Sequence, residues 1–484
     1  MTRWQIRARF YFKIDPYLSG LRGNQRTISS LLSLNIVDGT VVTVLIVASL
    51  TVLVYLLSRR MPPRRSDDGL PSNRLLRRRW MVGLSLSALG GVVAAIATIV
   101  ICEVVLNLFG TPIEIDTHTW VVVSFAATGV AVFNIWKSRW WRKAIAGIAI
   151  VLFLSTATLG INASYGLNTT MASLLDINIG HPLSIPSHKP TATPIPTGTS
   201  IAPPAPVKPL WQTWTPPSGM PASGRYGTVA IPNSASGFVA RPAYLYLPPA
   251  ALVPNPPALP ILIMMMGQPG GPDYSIKFLP TLNSMAAANK GLGAIVLTID
   301  QIGSPTQNPL CIDSARGNVH TYIMTDVLNY VKSNLHVASG RQNWAIGGYS
   351  NGGECALSFG AQYPEVFGSI LDVSGEIGPS LGSPQNTLQL GFGGDQSRFD
   401  AEQPLNIMAK TRYSDMLAIF TSGSNDHYYG PESDRAEAAA KAAGMTTLRF
   451  IGPGVGHRSD AIVFGVPVGL AELYPRWELS APKG

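Results

Sequence analysis

A Gly-x-Ser-x-Gly motif lies in the second half of the chain, formed by Gly348, Ser350 and Gly352. It follows the apolar run 344–347 and precedes a stretch that can open a helix. A sharp turn between a buried strand and a helix presents a serine above the sheet, and the two glycines let strand and helix approach closely. The pattern predicts that Ser350 is a nucleophile on a strand–turn–helix elbow.

A serine hydroxyl is a weak nucleophile at neutral pH, so it needs an imidazole to take its proton and an acid to orient that imidazole. Hydrolases with this elbow carry the three groups in the order serine, acid, histidine. Asp426 follows the apolar run 417–421, and His457 lies in a glycine-rich loop after a short predicted strand. The sequence therefore predicts a catalytic set of Ser350, Asp426 and His457.

Other residues could fill two of these positions, and the sequence leaves them open. Glu376, which follows the apolar run 369–373, is the main alternative to Asp426 as the acid. The remaining histidines of this half are typical of surface or capping positions. They are His320, His336 and His427.

The negative charge on a reacting carbonyl oxygen must be stabilised by two fixed backbone N–H groups. Asn351, directly after the nucleophile, is expected to supply one of them. The second should come from the loop 267–271, where Pro269 has no N–H group. The candidates there are Gly267 and Gln268, and we favour Gln268.

Alternating strands and helices are needed to hold these residues, and they are predicted from Gly224 onward. Short apolar runs alternate there with helical segments such as 325–335 and 431–444, which is typical of a largely parallel sheet. The predicted strands lie at about 225–232, 240–248, 259–266, 294–299, 343–347, 369–373 and 416–421. We predict an α/β-hydrolase domain over 223–484, with a mostly parallel sheet and helices on both faces.

The N-terminal region, residues 1–180, contains four apolar segments near the ~20 residues that a bilayer-spanning helix needs. They lie at about 37–58, 81–109, 119–136 and 144–163. The first and third connections are rich in Lys and Arg, whereas the second contains Glu114, Asp116 and His118 and no Lys or Arg. The positive-inside rule predicts a multi-pass membrane region with the C-terminal domain outside the cytoplasm.

Charge is distributed unevenly along the 484 residues. Residues 1–180 carry 18 Lys and Arg against 8 Asp and Glu, whereas residues 181–484 carry 18 against 19. The net charge of +9 therefore belongs to the apolar part, where it indicates membrane topology, and we expect no nucleic-acid partner. Between the two parts, residues 181–222 are rich in Pro, Thr and Ser and predict an extended linker.

The chain has three cysteines. Cys102 lies in an apolar segment, and Cys311 and Cys355 are the two in the domain predicted to lie outside. An oxidising compartment favours a disulfide between them, and two buried thiols packed as small apolar groups are the alternative. The sequence has no Cys-x-x-Cys pair and no Cys/His cluster, so we expect no metal and no cofactor.

Residues 225–475 resemble the esterase family that includes esterase D and the antigen 85 mycolyltransferases. The resemblance rests on 348–353, Gly423-x-x-Asp426, Gly456-His457 and 311–318. A helical membrane region followed by such a domain looks like actinobacterial membrane-anchored members. The resemblance implies an α/β-hydrolase fold, a serine acyl-enzyme and metal-free esterase or acyltransferase chemistry. The matching acid is a glutamate in the antigen 85 branch and an aspartate here.

These features together predict a membrane-anchored, extracytoplasmic serine esterase or acyltransferase. Its expected partners are the membrane and an acyl-ester substrate of the cell envelope, such as a lipid, a glycolipid or an aminoacylated phospholipid. Two other classes stay open. A non-catalytic membrane protein with a hydrolase-like binding domain would have a broken triad. A transporter would carry several polar residues in its spans, where only Glu103 is available.

Overall fold

The structure, a computed structural model, describes most of the chain. The described residues are 28–37, 39–58, 73–105, 113–136, 138–166, 168–175, 177, 179–186, 208–305 and 307–483. Several sequence features fall outside them. These are the basic first 27 residues, the Arg-rich connection at 59–72, the last residues of the second apolar segment (106–109) and 187–207 of the predicted linker.

Among the described residues of the first part of the chain, four helices are long and apolar enough to cross a membrane. They are α1, Thr40–Leu57; α2, Asn73–Val100, continued by a π-helical turn at Ile101–Val105; α3, Ile115–Ile135; and α4, Trp140–Tyr165. The largest difference from the prediction is at α2, which begins at Asn73 rather than at about 81. Hydropathy detects only the apolar part of a helix, whereas the preceding Arg and Leu residues are good helix formers and extend it.

Helices α2 and α3 approach each other so closely that their backbones touch. A Cβ atom at Gly91 would lie 2.2 Å from the carbonyl oxygen of Phe125, and one at Gly129 would lie 2.1 Å from that of Ser87. Small residues at crossing points are typical of packed helices in membranes. The outward faces of the bundle expose large apolar side chains, among them Leu86, Val93, Ile148 and Val151.

Different hydrogen bonds link the chain segments at the two ends of the bundle. At one end the buried Arg142 donates hydrogen bonds to Asn134 Oδ1 (2.8 Å) and to the carbonyl oxygens of Leu56 (2.8 Å) and Ser58 (2.9 Å). At the other end the chain before α1 meets the chain after α4, where the Ile36 N–H donates to the Thr169 carbonyl (3.1 Å). We call this second end, formed by the starts of α1 and α3 and the ends of α2 and α4, the domain-facing end.

The second part of the chain is built on an eight-stranded sheet in the order β1-β2-β4-β3-β7-β8-β9-β10. Strands β3, β4 and β7 to β10 are parallel, and β1 and β2 pair antiparallel at one edge. This mostly parallel sheet confirms the predicted fold class. The bounds are β1, Arg225–Val229; β2, Ala243–Leu247; β3, Ile261–Met265; β4, Ile295–Ile299; β7, Trp344–Tyr349; β8, Ser369–Val373; β9, Leu417–Gly423; and β10, Thr446–Gly452, while β5, Asp313–Ser314, and β6, Gly317–Asn318, form a separate hairpin.

Further helices follow those of the bundle, and the three longest of them pack against strands of the sheet. These further helices are α5, Met171–Leu174; α6, Leu210–Thr213; α7, Leu279–Ala288; α8, Val319–Thr321; α9, Leu328–Asn334; α10, Asn351–Gln362; α11, Pro384–Asn386; α12, Gln396–Ala401; α13, Pro404–Lys410; α14, Tyr429–Ala442; and α15, Ser459–Arg476. Helix α10 is buried along eleven of its twelve residues, from Asn351 to Ala361. Its start is therefore held rigidly above the middle of the sheet.

Both described ends of the predicted linker pack on the sheet domain. The Leu183 N–H donates to the Thr228 carbonyl (2.9 Å), and the Trp214 indole donates to the Lys290 carbonyl (3.0 Å). Leu183, Leu210, Trp211 and Trp214 are partly buried against the core. Composition predicts an extended spacer here. The few apolar residues of these two ends pack against the core of the sheet domain instead, so the ends are part of the domain.

Candidate active site

Ser350 lies between β7 and α10 in a strained backbone conformation. Its φ and ψ angles are 56° and −122°, which a non-glycine residue rarely adopts. Its N–H donates to the Val373 carbonyl (3.0 Å). A Cβ atom at Gly352 would lie 2.3 Å from the Met265 carbonyl oxygen, so only glycine lets α10 start this close to β3. The local geometry is that of a nucleophile elbow.

The structure brings Ser350, His457 and Asp426 together in one hydrogen-bonded chain. His457 Nε2 lies 2.9 Å from Ser350 Oγ, and His457 Nδ1 lies 3.1 Å from Asp426 Oδ2. Asp426 follows β9 and His457 follows β10, and these strands are parallel neighbours. Since parallel strands end at the same edge of a sheet, the loops that follow them meet there.

The environment of Asp426 keeps its carboxylate charged. Its side chain is only 1% exposed. Burial alone would raise the pKa of Asp426, but the hydrogen bond and positive field of His457, together with the Tyr429 N–H (3.0 Å), bring the pKa below its ordinary value. A buried carboxylate that stays ionised can hold the imidazole with Nδ1 protonated, which leaves Nε2 free to accept the serine proton.

Two tyrosines enclose the imidazole of His457. The ring of Tyr429 is 3.9 Å away between centroids, and that of Tyr349 is 5.1 Å away. Both rings are nearly parallel to the imidazole, at 28° and 26°. The sequence analysis missed both residues, although Tyr349 directly precedes the nucleophile and Tyr429 comes three positions after Asp426. A tyrosine at these positions matches no general pattern that would have identified it.

The alternative residues occupy other places. His427 is exposed, and the ring of His320 contacts Tyr363 and Phe359. Glu376 lies near the elbow, where its N–H is 3.4 Å from the Ser350 carbonyl oxygen. Burial and then the neighbouring Glu432 raise the pKa of Glu376 to about 8.

His336 lies on another stretch of the chain, where its carbonyl oxygen accepts the Leu259 N–H (3.1 Å). Strand β3 begins two residues after Leu259 and runs from there to the site. His336 therefore lies near the start of the parallel strands, whereas the loops that carry Asp426 and His457 follow the ends of those strands.

The loop proposed for the oxyanion hole lies against the nucleophile. A Cβ atom at Gly267 would be 3.1 Å from Ser350 Cβ, whereas the side chain of Gln268 is exposed. The buried amide of Gln301 joins Met266, the residue before this loop, to the elbow, because it donates to the Met266 carbonyl (2.5 Å) and to Asn351 Oδ1 (3.0 Å). Sequence reasoning missed Gln301, and the prediction of Gln268 and Asn351 as oxyanion donors stays a prediction.

Cys311 and Cys355 form a disulfide, with Cα atoms 5.7 Å apart. The bridge ties the loop after β4 to helix α10, five positions beyond Ser350. Within the described residues, the one group of His, Cys, Asp and Glu with spacing suited to a metal is Cys311, Cys355 and Glu354. Both sulfurs are already bonded to each other, so this group does not fit a metal.

Comparison with known proteins adds the family. Residues 240–461 match the family model described as Putative esterase. This part of the chain is an esterase-family domain. Its fold and family make it a serine hydrolase, and the resemblance expected from the sequence is confirmed at the level of the esterase family.

Several known proteins are similar to the chain. A Corynebacterium glutamicum protein, described as uncharacterized, is 29% identical over 435 residues, covering 86% of this chain and 91% of the relative. The match is too long for the esterase domain alone and extends into the apolar helices.

Solved structures also match about half of the chain. A ferulic acid esterase matches 53% of this chain and 99% of its own at 15% identity, with a TM-score of 0.45. An S-formylglutathione hydrolase from Agrobacterium tumefaciens matches 53% of this chain and 97% of its own, also at 15% identity with a TM-score of 0.45.

Proposed function

We propose that the protein is a membrane-anchored serine esterase or acyltransferase whose esterase domain lies outside the cytoplasm and acts on acyl esters of the cell envelope. The observation that carries the chemistry is the hydrogen-bonded chain from Ser350 Oγ through His457 to Asp426. An intact chain of this kind favours catalysis over the alternative of a non-catalytic binding domain.

The proposed reaction proceeds through an acyl-enzyme. Ser350 Oγ attacks the ester carbonyl carbon while His457 Nε2 takes the hydroxyl proton. Backbone N–H groups of the elbow and the 267–271 loop stabilise the oxyanion. The C–O bond to the alcohol then breaks, and the departing oxygen receives the proton from His457. Water or a second alcohol repeats the attack on the acyl-enzyme and restores Ser350.

The proximity of His457 to the bundle supports a lipid-borne substrate. The His457 N–H is 3.3 Å from the carboxylate of Glu114, which directly precedes the start of α3. A helix of this length crosses the hydrocarbon core of a bilayer, so its first residue lies near the membrane surface. A site at that level reaches esters in a lipid headgroup region without extracting the lipid completely.

Labelling with a fluorophosphonate probe tests the proposed chemistry without knowledge of the substrate. We expect the full chain in detergent to be labelled and the Ser350→Ala variant to remain unlabelled. On short acyl esters the variant should lose about 10³-fold or more in kcat, because only binding and oxyanion stabilisation remain. Absence of labelling in the wild-type protein, or near-normal turnover by the alanine variant, would contradict the proposal.

A further inference from the structure

The esterase domain contacts the helix bundle at the loop that carries His457. The Glu114 carboxylate accepts the His457 N–H (3.3 Å), and the next residue, Arg458, forms an ion pair with Asp116. Glu114 and Asp116 frame the first residue of α3, Ile115. Two consecutive residues of the histidine loop are thus attached to one turn of a bundle helix.

Glu114 is itself held by the neighbouring helix. Its N–H donates to the hydroxyl of Tyr165, the last residue of α4 (3.3 Å), and Thr117 Oγ1 contacts the same hydroxyl (3.3 Å). The Thr117 N–H donates to the Glu114 carbonyl (2.9 Å). The start of α3 and the end of α4 therefore present the Glu114 carboxylate in a defined position.

The bundle also contacts the other side of the site, next to the loop 267–271. Gly166 lies directly against the ring of Tyr274, since a Cβ atom there would be 2.6 Å from the ring carbon Cε2. Thr169 Oγ1 donates to Asp273 Oδ2 (2.9 Å). Only Pro272 separates Asp273 from the 267–271 loop, so the bundle contacts the histidine loop on one side of Ser350 and the segment next to the 267–271 loop on the other.

The histidine loop is rich in glycine. Gly452, Gly454 and Gly456 precede His457 and leave the backbone many conformations to lose. Hydrogen bonds within the esterase domain hold the loop at Gly454, whose N–H donates to Ser424 Oγ (2.8 Å), at Val455, whose carbonyl accepts the Asn425 N–H (2.9 Å), and at Gly456, whose N–H donates to Asp460 Oδ2 (3.3 Å). The contacts of His457 and Arg458 with the bundle add to these. A displacement of about 1 Å in a catalytic group can cost about 10² in rate, so anchors for such a loop have catalytic consequences.

We propose that the domain-facing end of the bundle is part of the active site and that Glu114 is a positioning residue for His457. Asp116 is a second anchor, acting through Arg458. This inference rests on the proposed function and deepens it, because it makes the helices a component of the catalytic machinery as well as an anchor. The esterase domain then reaches full activity only when docked on its own helices.

Substitutions in the full chain test the role of Glu114. Glu114→Ala should lower both the second-order rate of fluorophosphonate labelling and kcat on a short ester by about tenfold, equivalent to about 1.4 kcal/mol. KM and the melting temperature of the esterase domain should change little. Glu114→Gln keeps an oxygen acceptor for the His457 N–H and should recover most of the lost rate.

A charge exchange tests the second anchor. Asp116→Arg and Arg458→Asp should each lower the labelling rate, and the double variant should restore most of it, because the ion pair reforms with its charges reversed. The matched control is Asp415→Asn. Asp415 pairs with Arg476 at 3.1 Å, at the end of the sheet where β9 begins, and its loss should leave labelling unchanged.

The outcomes separate the two proposals. A wild-type protein that resists labelling contradicts the proposed function itself. If the wild type is labelled but Glu114→Ala reacts at the same rate, the bundle is an anchor alone and this inference is wrong. It is equally wrong if Glu114→Ala loses rate only in proportion to a loss of folded esterase domain, or if the charge-exchanged pair stays as slow as the single variants.

Discussion

Asp426 and Glu376 are both acids on loops that follow strands of the sheet, yet only Asp426 hydrogen-bonds to His457. The His457 contact lowers the pKa of Asp426 against the effect of burial, whereas burial and Glu432 raise the pKa of Glu376 to about 8. The raised pKa favours the neutral form of Glu376 near neutral pH and so disfavours this residue as the anion beside His457. Environment, rather than residue type, separates the two candidates.

Replacement of each acid by its amide tests this assignment. We expect Asp426→Asn to lower kcat on short esters by about 10³ to 10⁴, because an amide favours the wrong imidazole tautomer. Glu376→Gln mimics a carboxyl that is already neutral, so its kcat should stay within a few-fold of wild type. Steady-state kinetics on both variants would contradict the assignment if Glu376→Gln were the slower enzyme.

The raised pKa of Glu376 also predicts how stability depends on pH. Below its ordinary pKa of 4.5 the carboxyl is neutral in both the folded and the unfolded chain. Between 4.5 and about 8 the unfolded chain ionises first, so this group increasingly disfavours the folded state as pH rises. The melting temperature of Glu376→Gln relative to wild type should therefore be higher at about pH 8 than at about pH 5. A difference that is the same at both pH values would contradict the raised pKa.

At the scale of elements, the site depends on connections between loops that belong to different strands. The disulfide ties the loop after β4 to α10, and Gln301 ties Met266, the residue before the 267–271 loop, to Asn351. Helix α10 is itself buried along eleven of its twelve residues, so these links fix the surrounding loops to an element in the core of the domain.

Removal of the disulfide should destabilise the domain. The bridge joins residues separated by 44 positions, and the loop-entropy model assigns such a loop about 4 kcal/mol. We expect Cys311→Ser with Cys355→Ser to lower the free energy of unfolding by about 2 to 4 kcal/mol. The unreduced Cys102→Ser protein, with Cys311 and Cys355 intact, should present no alkylatable thiol. Two alkylatable thiols would show that the bridge does not form.

At the scale of the whole molecule, the esterase domain and the buried Arg142 lie at opposite ends of the bundle. Arg142, near the start of α4, contacts Leu56 at the end of α1, whereas Glu114, at the start of α3, contacts His457. From the positive-inside rule we predict that the Arg142 end is cytoplasmic and that the esterase domain is outside.

Reporter fusions or single-cysteine accessibility measure this orientation directly. We expect positions near 70 and 140 to be cytoplasmic and positions near 115 and after 180 to be outside. The prediction covers the first connection as well, although residues 59–72 lie outside the described part of the chain. A cytoplasmic esterase domain would overturn the proposal of an envelope substrate and leave the serine chemistry untouched.

The sequence by itself determined the fold class and the kinds of element. Strand length, helix period and the Gly348-x-Ser350-x-Gly352 elbow are local patterns, because backbone geometry and burial impose them over a few neighbouring residues. Parallel order brings the loops after β9 and β10 together, so Asp426 and His457 could be anticipated from their places after strands. The structure joins them to Ser350 in the predicted order.

Only the tertiary structure decided which surfaces meet. The contact between Glu114 and His457 joins residues 343 positions apart, and the stacking of Tyr429 on the imidazole depends on the path of a loop. Neither contact produces a periodic pattern in the sequence, because each arises from the packing of elements that are far apart along the chain. The packing of Leu183 and Trp214 on the domain has the same origin, because composition reports how a segment behaves alone and not which apolar surface lies within its reach.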